Sequence, residues 1–185
     1  MNVFFLDEQP KDAAVAHCDK HVVKMILEYT QLLCTAHRVL DGEETIELSK
    51  NNRKVKRWKF ENSLKDKLIY SATHVNHPSA VWVRESSSHY WWLYNLLKEL
   101  HYEYKLRYDK THKCFVYLKV LDVLPKNIKV SKDFKQPPQA MPEDYKCEDS
   151  IKAYRNYYIN AKAYMAKWTS RQVPTWFKEG VSNSF

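Results

Sequence analysis

Glycine is nearly missing from this chain, with two residues in 185. Together with helical periodicity throughout and almost no alternating apolar and polar runs, that scarcity excludes a turn-rich β architecture and predicts an all-α domain. No long apolar run and no lipidation signal is present, so a membrane is not an expected partner. The four cysteines, Cys18, Cys34, Cys114 and Cys147, have no CxxC spacing, and no basic segment followed by an apolar one opens the chain. Both absences point to a reduced, intracellular protein rather than a secreted, disulfide-framed one. No internal repeat is visible, and nothing calls for a cofactor, a metal or an obligate protein partner.

What is present is apolar mass and positive charge. A hydrophobic content of 44% suffices for one sizeable core, so residues 1–185 are read as a single compact helical bundle. The net charge of +8 and pI near 9.2 favour an anionic partner, with nucleic acid, double-stranded DNA included, ahead of a membrane surface. The cations are locally dense. Asn51 to Lys59 interleaves them with Trp58, and Lys105, Arg107, Lys110, His112 and Lys113 form a second cluster. Either offers phosphate contacts or ordinary solubilising charge. Thirteen Tyr, six Trp and seven Phe are unusually many; most are expected in the core, and some suit stacking on bases or inserting between them.

Along the chain, Met1 to Leu6 forms a short hydrophobic arm and Asp7 to Pro10 a turn. A long helix is then expected over 11–40, closed by Asp41-Gly42. Residues 43–62 are charged and poorly periodic, predicting a loop-rich insertion with a short helical piece. A helix over 63–74 is stopped by Asn76-His77-Pro78, and Pro78 suits the first turn of the next helix, 78–107. Further helices are expected over 110–122 and 148–168. Between them, Pro125, Pro137, Pro138 and Pro142 make 124–147 an irregular loop, and 169–185 is a tail.

The first helix carries the most telling pattern. His17, His21, Lys24, Glu28, Gln31 and Thr35 fall within about 80° of one another at 100° per residue, in surroundings that are otherwise apolar. A carboxylate, an amine and two imidazoles on a helix buried on several sides suit a polar pocket with tuned pKa values. The alternative is a narrow solvated face with a Lys24 to Glu28 pair at i,i+4. His17, Cys18 and His21 have the spacing of metal ligands, but nothing elsewhere completes such a site.

Three short segments carry a resemblance. His17-Cys18-Asp19-Lys20-His21 followed by Glu28 resembles the first helix of the phage pyrimidine dimer DNA glycosylase (endonuclease V) family. Arg171 to Phe177 is similar to that family's aromatic ending, and Asn76-His77-Pro78-Ser79-Ala80-Val81-Trp82 to a segment of bacterial relatives. The resemblance implies an N-terminal amine attacking sugar C1′, with Glu28 managing protons. It implies a nucleotide leaving the stack, with Trp176, Phe177 and an aromatic of 82–92 filling the gap. An α-amino group titrates near about 7.7–8.0, so a useful fraction is unprotonated at neutral pH. The chain departs from the pattern where Val3, Leu27 and Gln31 stand in place of arginines, and Asn2 disfavours removal of Met1.

The expected site therefore comprises Glu28, Lys24, His21 and Met1 as chemical groups. His17, Gln31, Asn76, His77, Trp82, Arg84, Arg107, His112, Lys113, Arg171 and Trp176 are expected to bind. The leading expectation is a glycosylase or glycosylase/lyase acting on a damaged or modified base. A non-catalytic nucleic-acid-binding module and a small-molecule enzyme acting on a nucleotide are the alternatives. A viral source would put it in the cytoplasm of a bacterial host.

Overall fold

The computed structural model describes residues 1–183, so the last two residues of the expected tail lie outside them. The helix expected over 11–40 breaks into α1 (Pro10–Ala16) and α2 (Asp19–Asp41). At the joint, His17 and Cys18 are extended, and the carbonyls freed there find distant donors. Arg107 donates to Val15 and His17 at 3.0 and 2.8 Å, and the Trp168 indole to Ala16 at 3.1 Å. Such partners make a break in a buried helix tolerable. Helical periodicity alone did not reveal it.

The main correction to the all-α expectation lies at 43–62. Strands β1 (Glu43–Leu48) and β2 (Lys54–Lys59) pair antiparallel, with Glu43 opposite Lys59 and Leu48 opposite Lys54. Lys56 and Lys59 reach across to Glu44 and Glu47, and Asn52 takes the left-handed conformation at the turn. Ile46 and Leu48 stay largely exposed, so neither face of the ribbon is a core face and apolar alternation is weak. Gly42 admits the ribbon at the end of α2. A Cβ there would meet the Arg38 carbonyl at 2.6 Å and Trp58 Cβ at 3.2 Å.

Asn62 caps α3 (Ser63–Leu68) through Leu64 and Lys65 amides, both 3.0 Å, and this helix ends six residues earlier than expected. The expected helix 78–107 is two, α4 (Pro78–Glu85) and α5 (Ser87–Tyr108), divided at extended Ser86. The Pro-rich loop covers that division, Ser87 donating its amide to Lys129 and its hydroxyl to Ser131. In place of a helix over 110–122 there is a 3-10 turn, Lys113–Tyr117, followed by α6 (Leu118–Leu121). The expected 148–168 helix begins as α7 (Ser150–Tyr157), widens to a π turn at Tyr158–Lys162, and ends in a 3-10 turn at Ala163–Met165. The tail contributes α8 (Thr175–Ser182). Eight α-helices and one two-stranded sheet make the described residues mostly helical.

The core forms where α2 packs on α4 and α5, with α1 against α5. The arm is part of it. Val3, Phe4, Phe5 and Leu6 are buried, so the N-terminal segment is a core element laid along α2.

Candidate functional site

The position of the arm is fixed by a chain of hydrogen bonds from α1. His17 Nδ1 donates to the Ala13 carbonyl at 2.6 Å, which leaves Nε2 to accept from the Tyr29 hydroxyl at 3.1 Å. That hydroxyl accepts in turn from the Phe4 amide at 3.0 Å. Each group is used once, so the ring is neutral with its proton on Nδ1. Complete burial, with the Arg107 charge nearby, lowers the His17 pKa to about 4.

Upstream of Phe4, the arm reaches the start of α4, where the Ser79 hydroxyl donates to the Met1 carbonyl at 3.3 Å. His77 is the N-cap of α4. Its Nδ1 accepts from the Ser79 amide at 3.1 Å, so the neutral ring carries its proton on Nε2 and can donate there. Burial lowers the His77 pKa first; the positive Met1 amino group and His74 add to this, and the Glu28 carboxylate opposes them. The Met1 amine, Glu28 and His74 are therefore near enough to His77 to act on it through charge, although 76 positions separate Met1 from His77.

Lys24 approaches the same carboxylate from solvent. Its Nζ lies 3.4 Å from Glu28 Oε1, with 68% of the lysine side chain exposed and 18% of the glutamate's. This is a charge partner at the rim. A wide cavity of about 650 Å³ begins at Pro78, next to His77, and is lined further by Pro137, Gln139, Lys146, Cys147 and Ser150.

The stripe thus serves two ends. His21 is buried, stacked on Phe4 at 4.3 Å and hydrogen-bonded through Nδ1 to the Tyr158 hydroxyl at 2.5 Å. Burial above all, helped by the charges of His17, Lys162 and Lys24, lowers its pKa to about 3. It holds the arm rather than joining Glu28 and Lys24. Gln31 is half-buried, and the Thr35 hydroxyl exchanges hydrogen bonds with Thr73 at 3.1 and 3.3 Å.

Several expected binding residues have other occupations. Arg107 is not a phosphate contact: its side chain is fully buried among Glu103, Asp19 and the α1 carbonyls. Trp82 is core, its indole donating to the Lys135 carbonyl at 2.8 Å. His17 is likewise closed off. Arg171 pairs with buried Glu103 while remaining 30% exposed. Arg84 donates to the Val75 carbonyl at 2.7 Å and so holds the segment leading to His77. Asn76 and Lys113 are exposed, and His112 caps the 3-10 turn through Cys114. Trp176 is half-buried, packed on Tyr158 with the Arg155 guanidinium 5.3 Å over its ring.

Sequence reasoning missed Tyr29, which holds the arm, and Ser79 and His74 beside His77. Tyr29 reads as one more apolar residue of α2, and the other two have no role until the arm is placed against α4. It missed Arg38 and Asp66 as well. Arg38 binds the carboxylate of Asp66 and the carbonyls of Trp58, Asp66, Ile69 and Tyr70, tying the ribbon and the 69–77 segment to α2.

Among the described residues no three His, Cys, Asp or Glu side chains are grouped to hold a metal, and no helix is long and apolar enough to cross a membrane. All four cysteines are free, with Cys147 exposed. Compared with models of known families, with curated proteins and with solved structures, the chain matches none.

Proposed function

We propose that this protein is a DNA glycosylase or glycosylase/lyase acting on a damaged or modified base, distantly akin to the pyrimidine dimer glycosylases of phage. One observation carries the reading: the Ser79 side chain holds the Met1 end of the arm beside the N-cap His77, whose Nε2 is left to donate, and the Met1 amine and the Glu28 carboxylate both act on that ring through charge. An unprotonated amine forms a bond to C1′ as the bond from C1′ to the base breaks. The departing base takes the electron pair and a proton, for which His77 Nε2–H is the positioned donor. Glu28 stabilises positive charge at the sugar, takes a proton from the attached nitrogen and returns it to O4′ as the C1′–O4′ bond breaks and the nitrogen lone pair forms the iminium. The positive net charge supports a nucleic-acid substrate. Lys24 serves as counter-charge to Glu28.

The test is borohydride trapping on duplex DNA containing an abasic site, with the adduct located by mass spectrometry. An adduct on Met1 that is lost in Glu28→Gln, with DNA binding retained, is the expected result. An adduct on Lys24 reassigns the nucleophile. Salt-dependent binding without any adduct leaves a binding module or a glycosylase that uses water, and absence of DNA binding removes the proposal.

A further inference from the structure

We propose that the β1–β2 ribbon is a second, separate DNA contact: an arm that grips phosphates about half to one helical turn away from Glu28. The inference rests on the reading above only for its choice of partner. Residues 49–59 contain Lys50, Arg53, Lys54, Lys56, Arg57 and Lys59 and no acidic residue. Lys56 and Lys59 are neutralised across the ribbon by Glu44 and Glu47. Lys50, Arg53, Lys54 and Arg57 have no acidic partner among the described residues, and the first three are exposed.

Unpaired cations at a ribbon tip are common enough; the position of this ribbon is what argues for a ligand. Gly42, from which it springs, falls within about 40° of Glu28 around α2 at 100° per residue. The ribbon and Glu28 therefore lie on the same side of the helix. The segment 69–77 runs between them, touching α2 at Arg38 through Ile69 and Tyr70 and at Thr35 through Thr73, and continuing to His77. Outward on the ribbon, exposed Ile46 and Leu48 lie opposite Lys56 and Lys54. Aliphatic groups ringed by cations suit the sugar and phosphate wall of a duplex groove, which accepts a two-stranded ribbon.

Dimensions agree with a duplex. From Glu28 to Asp41 the helix rises about 20 Å, and six-residue strands add about 20 Å more. The tip thus stands about 20–40 Å from Glu28, against about 34 Å for a helical turn of DNA. Each phosphate neutralised contributes about 0.9 to the salt slope of log K, so four free cations contribute about 3 to 4.

The experiment compares the full chain with the variant Lys50→Gln, Arg53→Gln, Lys54→Gln, Arg57→Gln in binding a 24-base-pair abasic duplex between 50 and 300 mM salt. We expect the slope to flatten by about 3, affinity at 150 mM to fall more than about 10-fold, and affinity for a 10-base-pair duplex centred on the abasic site to stay within about twofold. The variant should melt within about 2 °C of the parent; Arg53→Glu with Lys54→Glu, confined to the tip, is the second variant should it not. A slope change below 1, or equal loss on both duplexes, overturns the arm. If the slope is unchanged while the borohydride adduct persists, the arm alone fails. If the slope flattens but the parent gives no adduct, the arm stands and the glycosylase reading fails.

Discussion

Glu103→Gln offers the sharpest test of what holds the molecule together. The Glu103 carboxylate is 2% exposed and receives four N–H donors: Arg107 Nε and Nη2 at 3.0 and 2.9 Å, and Arg171 Nε and Nη2 at 3.1 and 2.6 Å. Arg107, fully buried, uses its remaining donors on the α1–α2 joint. Replacing the carboxylate by an isosteric amide leaves a buried guanidinium short of charge, and such a loss costs about 3–5 kcal/mol. Asp19, 3.1 Å from Arg107 Nη1, remains as a partial counter-ion and favours the lower end, about 3 kcal/mol. For a chain of this length that corresponds to a melting temperature lower by about 6–12 °C. Thermal unfolding at pH 7 in 0.15 and 1 M NaCl measures it, and the loss should persist at high salt because buried pairs are poorly screened. Glu44→Gln, at an exposed pair, should cost no more than about 1 kcal/mol. A loss for Glu103→Gln below about 2 °C, or one that vanishes at 1 M NaCl, would refute the reasoning.

Other expectations follow from the same geometry. The folded pKa of His17 lies at about 4 against 6.5, so the unfolded chain binds the extra proton between those values, and His37 and His101 behave alike. Stability is then fully present above about pH 6.5 and drains away as pH falls toward 4, by about 3 kcal/mol for His17 alone; denaturant midpoints across pH 8 to 4.5 check this, and a flat profile refutes it. Tyr29→Phe strands the buried Phe4 amide and His17 Nε2, at about 1–3 kcal/mol, and should accelerate hydrogen exchange at Phe4. Gly42→Ala drives a Cβ against the Arg38 carbonyl and should destabilise by about 1–3 kcal/mol in a denaturation series. Lys24→Met should leave trapping on abasic DNA intact where Glu28→Gln abolishes it.

The legible parts of the fold were those written in local chemistry. Pro78 announced a helix start, and the prolines of 124–147 announced an irregular loop. Helix breaks were illegible because the groups that license them are far away: Arg107 and Trp168 for His17–Cys18, Lys129 and Ser131 for Ser86. The ribbon was missed because Ile46 and Leu48 are exposed and its register is carried by charge pairs rather than by an apolar face. The resemblance singled out His77, and helical spacing singled out Glu28 and Lys24, which the structure pairs at 3.4 Å. It could not tell that His21 and His17 face the arm, since both share the angular window of Glu28, and only the placement of Phe4 separates them. Arg107 read as surface charge because the type of a residue does not disclose that Glu103, one turn earlier, is buried with it.

The joint between α1 and α2 ties together parts of the chain made at very different times. Its carbonyls wait for an arginine 90 residues later and a tryptophan 152 residues later, and Asp19 waits for Thr169. On the ribosome, the N-terminal segments must therefore remain provisional until almost the whole polypeptide has emerged. Chains ending before Trp168 would leave that joint open and expose the arm, so truncation should yield prey for proteases instead of a smaller working domain. Conversely, a fragment supplying Trp168 and Thr169 in trans should close the joint of a chain that lacks them.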